Sequence, residues 1–145
     1  MKTFVIDASI AIKWVVEEDG TPQAVALLNC ALLTAPDLLV AECANMLWKK
    51  VQRDELTADE ADLAAQLLER ANIELMPMRG LLHAATKIAL EISHPAYDCV
   101  YLALALAKRT LFVTADDRLM DKLRRQPDAN LAASAVSLAD AAVHF

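Results

Sequence analysis

Four acidic residues stand where a carboxylate could do chemistry, although they lie far apart along the chain: Asp7, Glu42, Asp98 and Asp116. Two of them, Asp7 and Asp116, come at the ends of short β-branched and aromatic runs that predict strands. Taken singly, each of these two could be a helix N-cap, and Asp98 could simply complement a helix dipole. The chemical question is whether the four side chains converge.

Glu42 and Asp98 are the hardest of the four to explain as structural acids. Glu42 lies within an apolar face of a predicted helix, next to Asn45, and Asp98 lies at the start of the almost wholly apolar helix 97–107. Burying a carboxylate is costly unless something pairs with it, and no Arg or Lys lies one helical turn before either acid. Lys49 is the nearest basic residue on the face of Glu42, and it could instead reach solvent.

Converging carboxylates repel one another, and a hard divalent cation removes that repulsion. Mg²⁺ prefers oxygen ligands and needs only a few carboxylates, and Mn²⁺ could take its place. Zinc would require His or Cys ligands. The histidines show no paired metal-ligand spacing and are expected at the surface or in the core: His83, His94 and His144. The cysteines show no C-x-x-C spacing and are expected to be reduced thiols, with Cys43 and Cys99 in the core: Cys30, Cys43 and Cys99.

The elements that must position the acids alternate between strand and helix. Strands are predicted at 3–6, 73–78, 110–114 and 136–138. Helices are predicted from 7 to 16, 21 to 32, 38 to 53, 57 to 71, 81 to 92 and 94 to 108, with a short basic helix opening at 116–117. This alternation favours an α/β fold in which helices cover both faces of a parallel sheet. Sites in such sheets gather at the carboxyl ends of the strands, where Asp7 and Asp116 are expected.

The chain has 145 residues, which predicts one domain spanning 1–145. The N-terminus reaches Asp7 before any long apolar run, and no apolar stretch approaches the length of a membrane span, so a cytoplasmic protein is expected. The net charge is −6, which by itself argues against nucleic-acid binding. If the four acids belong to a metal site, the remainder carries only −2, and local basic clusters exist at 49–53, 108–109 and 118–125.

Four stretches taken in order resemble the PIN-domain toxins of bacterial toxin–antitoxin pairs, the VapC-like group. They are Val5-Ile6-Asp7-Ala8-Ser9, the run from Pro36 through Glu42 to Asn45, Tyr97-Asp98-Cys99-Val100-Tyr101-Leu102-Ala103, and Val113-Thr114-Ala115-Asp116. Each stretch alone is a weak signal, but their order and spacing together are specific. The resemblance covers nearly the whole chain.

The resemblance implies a three-layer α/β/α fold with a short parallel sheet and a Mg²⁺-dependent endoribonuclease. Asp7, Glu42, Asp98 and Asp116 would hold the metal, which activates a water for in-line attack on the RNA phosphodiester. Ser9, Asn45 and Thr114 would support those acids or face the phosphate. Asp116 is preferred over its neighbour Asp117 because it fits the Thr-x-Asp pattern. The resemblance also implies a homodimer held inactive by a small protein antitoxin.

Other functions remain open from the residues alone. A phosphatase or a receiver domain would use an aspartyl nucleophile after the first strand, but Ser9 stands where the former usually has a second Asp. A non-catalytic interaction module is a further alternative, which the intact set of four acids disfavours. The RNA target is open, although single-stranded or looped RNA fits protein readout best. Trp14 and Trp48 could stack on bases, but burial is the expectation for both.

Overall fold

The computed structural model describes residues 1–142, and within them five parallel strands form one sheet. The strands are β1 (Thr3–Ile6), β2 (Leu32–Pro36), β3 (Glu74–Met76), β4 (Leu111–Thr114) and β5 (Ala135–Ser137). Their order across the sheet is β3-β2-β1-β4-β5, so the first strand lies at the centre. Helices flank the sheet on both faces, which confirms the predicted three-layer α/β/α class.

Helices account for most of the remaining described chain. They are α1 (Ala8–Ala11), α2 (Thr21–Cys30), α3 (Leu38–Gln52), α4 (Ala58–Glu69), α5 (Leu82–Ile92), α6 (Ala96–Lys108), α7 (Asp117–Arg124), α8 (Ala129–Ala132) and α9 (Leu138–Ala141). Helix α6 packs across β1, β2 and β4, and α5 packs on α6. Helix α3 packs on α1 and β2, and α4 packs on α3. A capping box formed by Thr57 and Glu60 begins α4.

Strand β2 was not predicted, and its residues were assigned instead to the end of one helix and the approach to the next. Helix α2 in fact ends at Cys30, and Leu32–Pro36 pairs with both β1 and β3. The segment has one β-branched residue, Thr34, and ends in a proline, so its composition carries little strand signal. Its position between two partner strands, which composition does not reveal, makes it a strand. The short helices α8 and α9 were also not predicted.

The arrangement of the central strands fixes where a site can form. β1 pairs with β2 on one side and with β4 on the other, and Ile6 is in register with Val113. The chain leaves β1 toward β2 and leaves β4 toward β5, in opposite directions along the sheet. A crevice opens at such a switch point, outside the carboxyl ends of the strands. Asp7 and Asp116 follow those two neighbouring ends.

Candidate functional site

Asp7 is placed by the end of β1 and the start of α1, and it is only 7% exposed. Its Oδ1 accepts hydrogen bonds from the Ile10 backbone N–H at 3.3 Å and from Ser9 Oγ at 2.5 Å. Its Oδ2 accepts one from Thr114 Oγ1 at 3.3 Å, across the β1–β4 pair. Asp7 is therefore both a helix N-cap and a carboxylate oriented by two hydroxyl groups.

Asp116 also serves as an N-cap, at the start of α7. Its Oδ1 accepts from the backbone N–H groups of Arg118 at 3.0 Å and Leu119 at 3.2 Å. Its own N–H donates to Thr114 Oγ1 at 3.1 Å, so Thr114 links the two strand-end acids. Asp116 lines the site cavity, whereas Asp117 is exposed and does not. Of the two neighbours, Asp116 is therefore the one that faces the cavity.

Glu42 reaches the site from the middle of α3. Its Oε1 accepts a hydrogen bond from the Tyr101 hydroxyl of α6, which is fully buried. The Tyr101 ring stacks on Phe112 of β4, with ring centroids 5.4 Å apart and planes inclined by 12°. Because the ring is fixed by this packing, its hydroxyl holds Glu42 at a fixed position.

Asp98 lies in the first turn of α6, with its side chain 26% exposed. Its Oδ2 lies 2.6 Å from Nε2 of His94, four residues earlier and just outside α6. His94, Asp98 and Asp116 each offer one ligand atom, and these three atoms all lie within 4.8 Å of one another. His94, expected at the surface or in the core, has a side chain that is only 7% exposed and directly contacts a site acid.

All four predicted acids line one open cavity of about 280 Å³. The rest of its lining comes from α1 and α3: Ala8, Ser9, Asn45, Met46 and Lys49. Thr114 does not line the cavity, but it contacts Asp7 and Asp116 as described. Within residues 1–142, no Lys or Arg forms an ion pair with any of the four acids. The cavity therefore concentrates negative charge, and Lys49 on its lining forms an ion pair with none of the four acids.

The electrostatics reflect this concentration. Burial, reinforced by the charges of Asp98 and Glu42, raises the pKa of Asp7 to about 7, although its hydrogen bonds from Ser9 and Ile10 act in the opposite direction. Burial likewise raises the pKa values of Glu42 and Asp98, and repulsion adds to the effect through Asp98 on Glu42 and through Asp116 on Asp98. Carboxyl groups with raised pKa values and no cationic partner are poorly stabilised as anions.

This donor set fits a hard divalent cation. Carboxylate oxygens from four elements face one cavity, and the bound charge would remove both the burial cost and the mutual repulsion. The thiols next to two of the acids do not join the site. Burial raises the pKa of Cys43 to about 12 and that of Cys99 to about 11, so both stay protonated and behave as core residues, as expected.

Sequence reasoning did not identify Tyr101 and His94 as contacts of the acids. The signal for His94 was its spacing, four residues before Asp98, although His94 lies just outside α6. The expected burial of the tryptophans is wrong for Trp48, which is 58% exposed on α3. Trp14 is partly buried, and its Nε1 donates to the Ala24 carbonyl at 2.8 Å. His83 is exposed, and His144 lies outside the described residues.

Across residues 1–142, no helix combines the length and the apolar character needed to cross a membrane.

Comparisons with known proteins agree with the geometry. The family model of the PIN domain matches residues 4–126. The chain is 38% identical over 117 residues to Ribonuclease VapC9 of Mycobacterium tuberculosis, covering 81% of this chain and 88% of that protein. It is 33% identical over 121 residues to Ribonuclease VapC3 of Pyrobaculum aerophilum, covering 81% of this chain and 92% of that protein.

Solved structures show the same fold at low sequence identity. PAE2754 from Pyrobaculum aerophilum superposes with a TM-score of 0.70 at 17% identity, over 99% of this chain and 88% of that one. A chain of VapBC2 from Rickettsia felis, solved with a DNA fragment from its promoter, gives a TM-score of 0.63 at 10% identity, over 93% and 98% of the two chains. On its family match and its close relatives, this chain belongs to the PIN domain family, in the VapC group.

Proposed function

We propose that this protein is a magnesium-dependent endoribonuclease, the toxin of a toxin–antitoxin pair. The observation that supports this most directly is the cavity lined by four carboxylates, with which no Lys or Arg of the described residues forms an ion pair. Family membership and relatives that are named VapC ribonucleases support the RNA substrate and the toxin role. We assign residues 1–145 to one nuclease domain that acts in the cytoplasm.

The residues that would hold the ion are the four acids Asp7, Glu42, Asp98 and Asp116. All offer oxygen donors, which suits Mg²⁺, and Mn²⁺ could substitute. Bound there, the ion would polarise the scissile phosphodiester and lower the pKa of the attacking water.

The remaining residues orient these acids or face the substrate. Ser9 and Thr114 donate to different oxygens of Asp7 and so fix the plane of its carboxylate. The Tyr101 hydroxyl donates to Oε1 of Glu42 and so holds that oxygen in place. Asn45 and Lys49 follow Glu42 on α3 and line the same cavity, where an amide and an ammonium group can bind a phosphate oxygen.

The acidic net charge does not oppose an RNA substrate at this site. Binding one divalent ion reduces the charge of −6 to −4, and Lys49 lies in the cavity itself. Arg118 of α7 is exposed directly beyond Asp116. An open cavity suits an unpaired strand or loop, whose backbone can approach the acids without a partner strand.

We expect RNA cleavage that requires a divalent metal and leaves 5′-phosphate and 3′-hydroxyl ends. The reason is that a metal ion held by the four acids would activate a water molecule as the nucleophile. Attack by the RNA 2′-hydroxyl would instead give cyclic phosphate ends. End mapping of products made with Mg²⁺, and again with excess EDTA, tests this. Glu42→Gln, purified identically, is the control for contaminating nucleases, since it retains an acceptor for Tyr101 and loses one charge. Cyclic phosphate ends, or full activity in EDTA, would refute the proposal.

The protein partners proposed are a second copy of the chain and a small protein antitoxin. In support, an apolar groove of about 310 Å³ runs between α3, α4 and β3, and Val40 and Leu75 on it are 60% and 43% exposed. Such a groove suits the apolar face of an amphipathic helix. Sedimentation of the purified chain should give twice its mass of 15.8 kDa. A strict monomer that expresses without toxicity and co-purifies with nothing would contradict both assignments.

A further inference from the structure

His94 directly contacts Asp98, yet the four-acid assignment gives it no role. It lies in the connection between α5 and α6, directly after Ser93, whose backbone is left-handed with φ of 52°. The His94 side chain is only 7% exposed, so both ring nitrogens must find partners within the protein.

The partners of the two nitrogens define the protonation of the ring. Nδ1 lies 3.2 Å from Nζ of Lys122 on α7, and the same Nζ donates to the Ser93 carbonyl at 2.7 Å. An ammonium group can only donate, so Nδ1 must accept. The proton of the neutral ring is therefore on Nε2, which donates to Oδ2 of Asp98 at 2.6 Å.

This arrangement argues against His94 as a metal ligand, although its ring belongs to the close group with Asp98 and Asp116. A ligating histidine gives the metal an unprotonated nitrogen and donates its other N–H to an acceptor. Here the nitrogen nearest the acids carries the proton, and the other nitrogen faces a donor. Lys122 thus enforces the tautomer that donates to Asp98.

We propose that His94 is a positioning residue for Asp98, held by Lys122 in the Nε2–H tautomer so that one carboxylate oxygen is fixed by His94 while the other is left for the cation. Lys122 also ties the Ser93 carbonyl to α7, so one side chain fixes both the backbone and the ring of this connection. The role in metal binding rests on the proposed function. The tautomer does not.

Two substitutions separate the donor to Asp98 from the acceptor to Lys122. His94→Gln places an amide N–H near the position of Nε2, and His94→Asn places its amide near Nδ1 instead. Calorimetric titration with Mg²⁺ should give His94→Gln an affinity within about threefold of wild type and His94→Asn a loss of tenfold or more, typical of losing a partner of a metal ligand. Equal losses in the two variants would overturn the positioning role.

Nitrogen NMR of the metal-free wild type tests the tautomer without any metal. The ring-nitrogen resonances that are present in wild type and absent from His94→Gln belong to His94. These resonances should show that Nε2 is protonated and Nδ1 is not, both before and after Mg²⁺ is added. Lys122→Met should abolish this fixed pattern. Arg124→Met, which removes a charge from the exposed face of the same helix, should not.

A protonated Nδ1 in wild type, or loss of the Nε2 proton on adding Mg²⁺, would overturn the proposal and make His94 a ligand. If wild type bound no divalent metal, the proposed function would fail. The tautomer measurement would still decide whether His94 donates to Asp98.

Discussion

Replacing Asp7 with Asn should lower RNA cleavage by about a thousandfold or more, which corresponds to about 4 kcal/mol of transition-state stabilisation. Asp7 is the most buried of the four acids, and its carboxylate is oriented by hydroxyls of two different elements. Asparagine keeps the shape and can still cap α1, but it removes one charge from the proposed metal site. Cleavage rates at saturating Mg²⁺ measure the effect.

The matched control for this substitution is Asp128→Asn. Asp128 caps α8 in the same way, accepting from the backbone N–H of Asn130 at 2.9 Å, but it is exposed and does not line the cavity. We expect this variant to cleave at the wild-type rate. If the Asp7 variant were as active as wild type, Asp7 would not belong to the metal site and would serve only as a helix cap.

The metal-free protein should become less stable as the pH rises from about 4 to 7, by about 4 kcal/mol from Asp7 alone. Its pKa is about 7 in the folded state and 3.8 in the unfolded state. Between these values the folded state binds more protons than the unfolded state, so the free energy of unfolding falls with rising pH. The raised pKa values of Glu42 and Asp98 act in the same direction.

Urea unfolding in EDTA between pH 4 and 8.5 measures this slope. Asp7→Asn should lose most of it and should be more stable than wild type at pH 8, because its amide does not ionise. Added Mg²⁺ should restore stability to wild type at pH 8 by binding the folded state alone. If the free energy of unfolding of wild type instead rose over this range, the site carboxylates would be paired with cationic groups in the folded state. That result would disprove a cluster of acids without cationic partners.

Much of the site could be predicted because its acids follow local rules. Asp7 and Asp116 follow strands rich in Val, Ile and Phe, and Glu42 and Asp98 stand out as acids on apolar helix faces. The contacts between elements could not be predicted in this way. Tyr101 meets Glu42 across 59 residues and Lys122 meets His94 across 28, and both depend on how helices pack on the sheet. Strand β2 was missed for the same reason, since its partners rather than its composition make it a strand.

The pairing of β1 with β4 also sets when the site can exist during synthesis. Asp7 is made well before Thr114, which holds it and follows 107 residues later. At roughly 5–20 residues per second, this gap lasts several seconds. The nascent chain thus carries a single site acid until Glu42 emerges, and it lacks the full set until Asp116 has been added. The ribosome therefore assembles the proposed nuclease in a form that cannot cut RNA until Asp116 has been made.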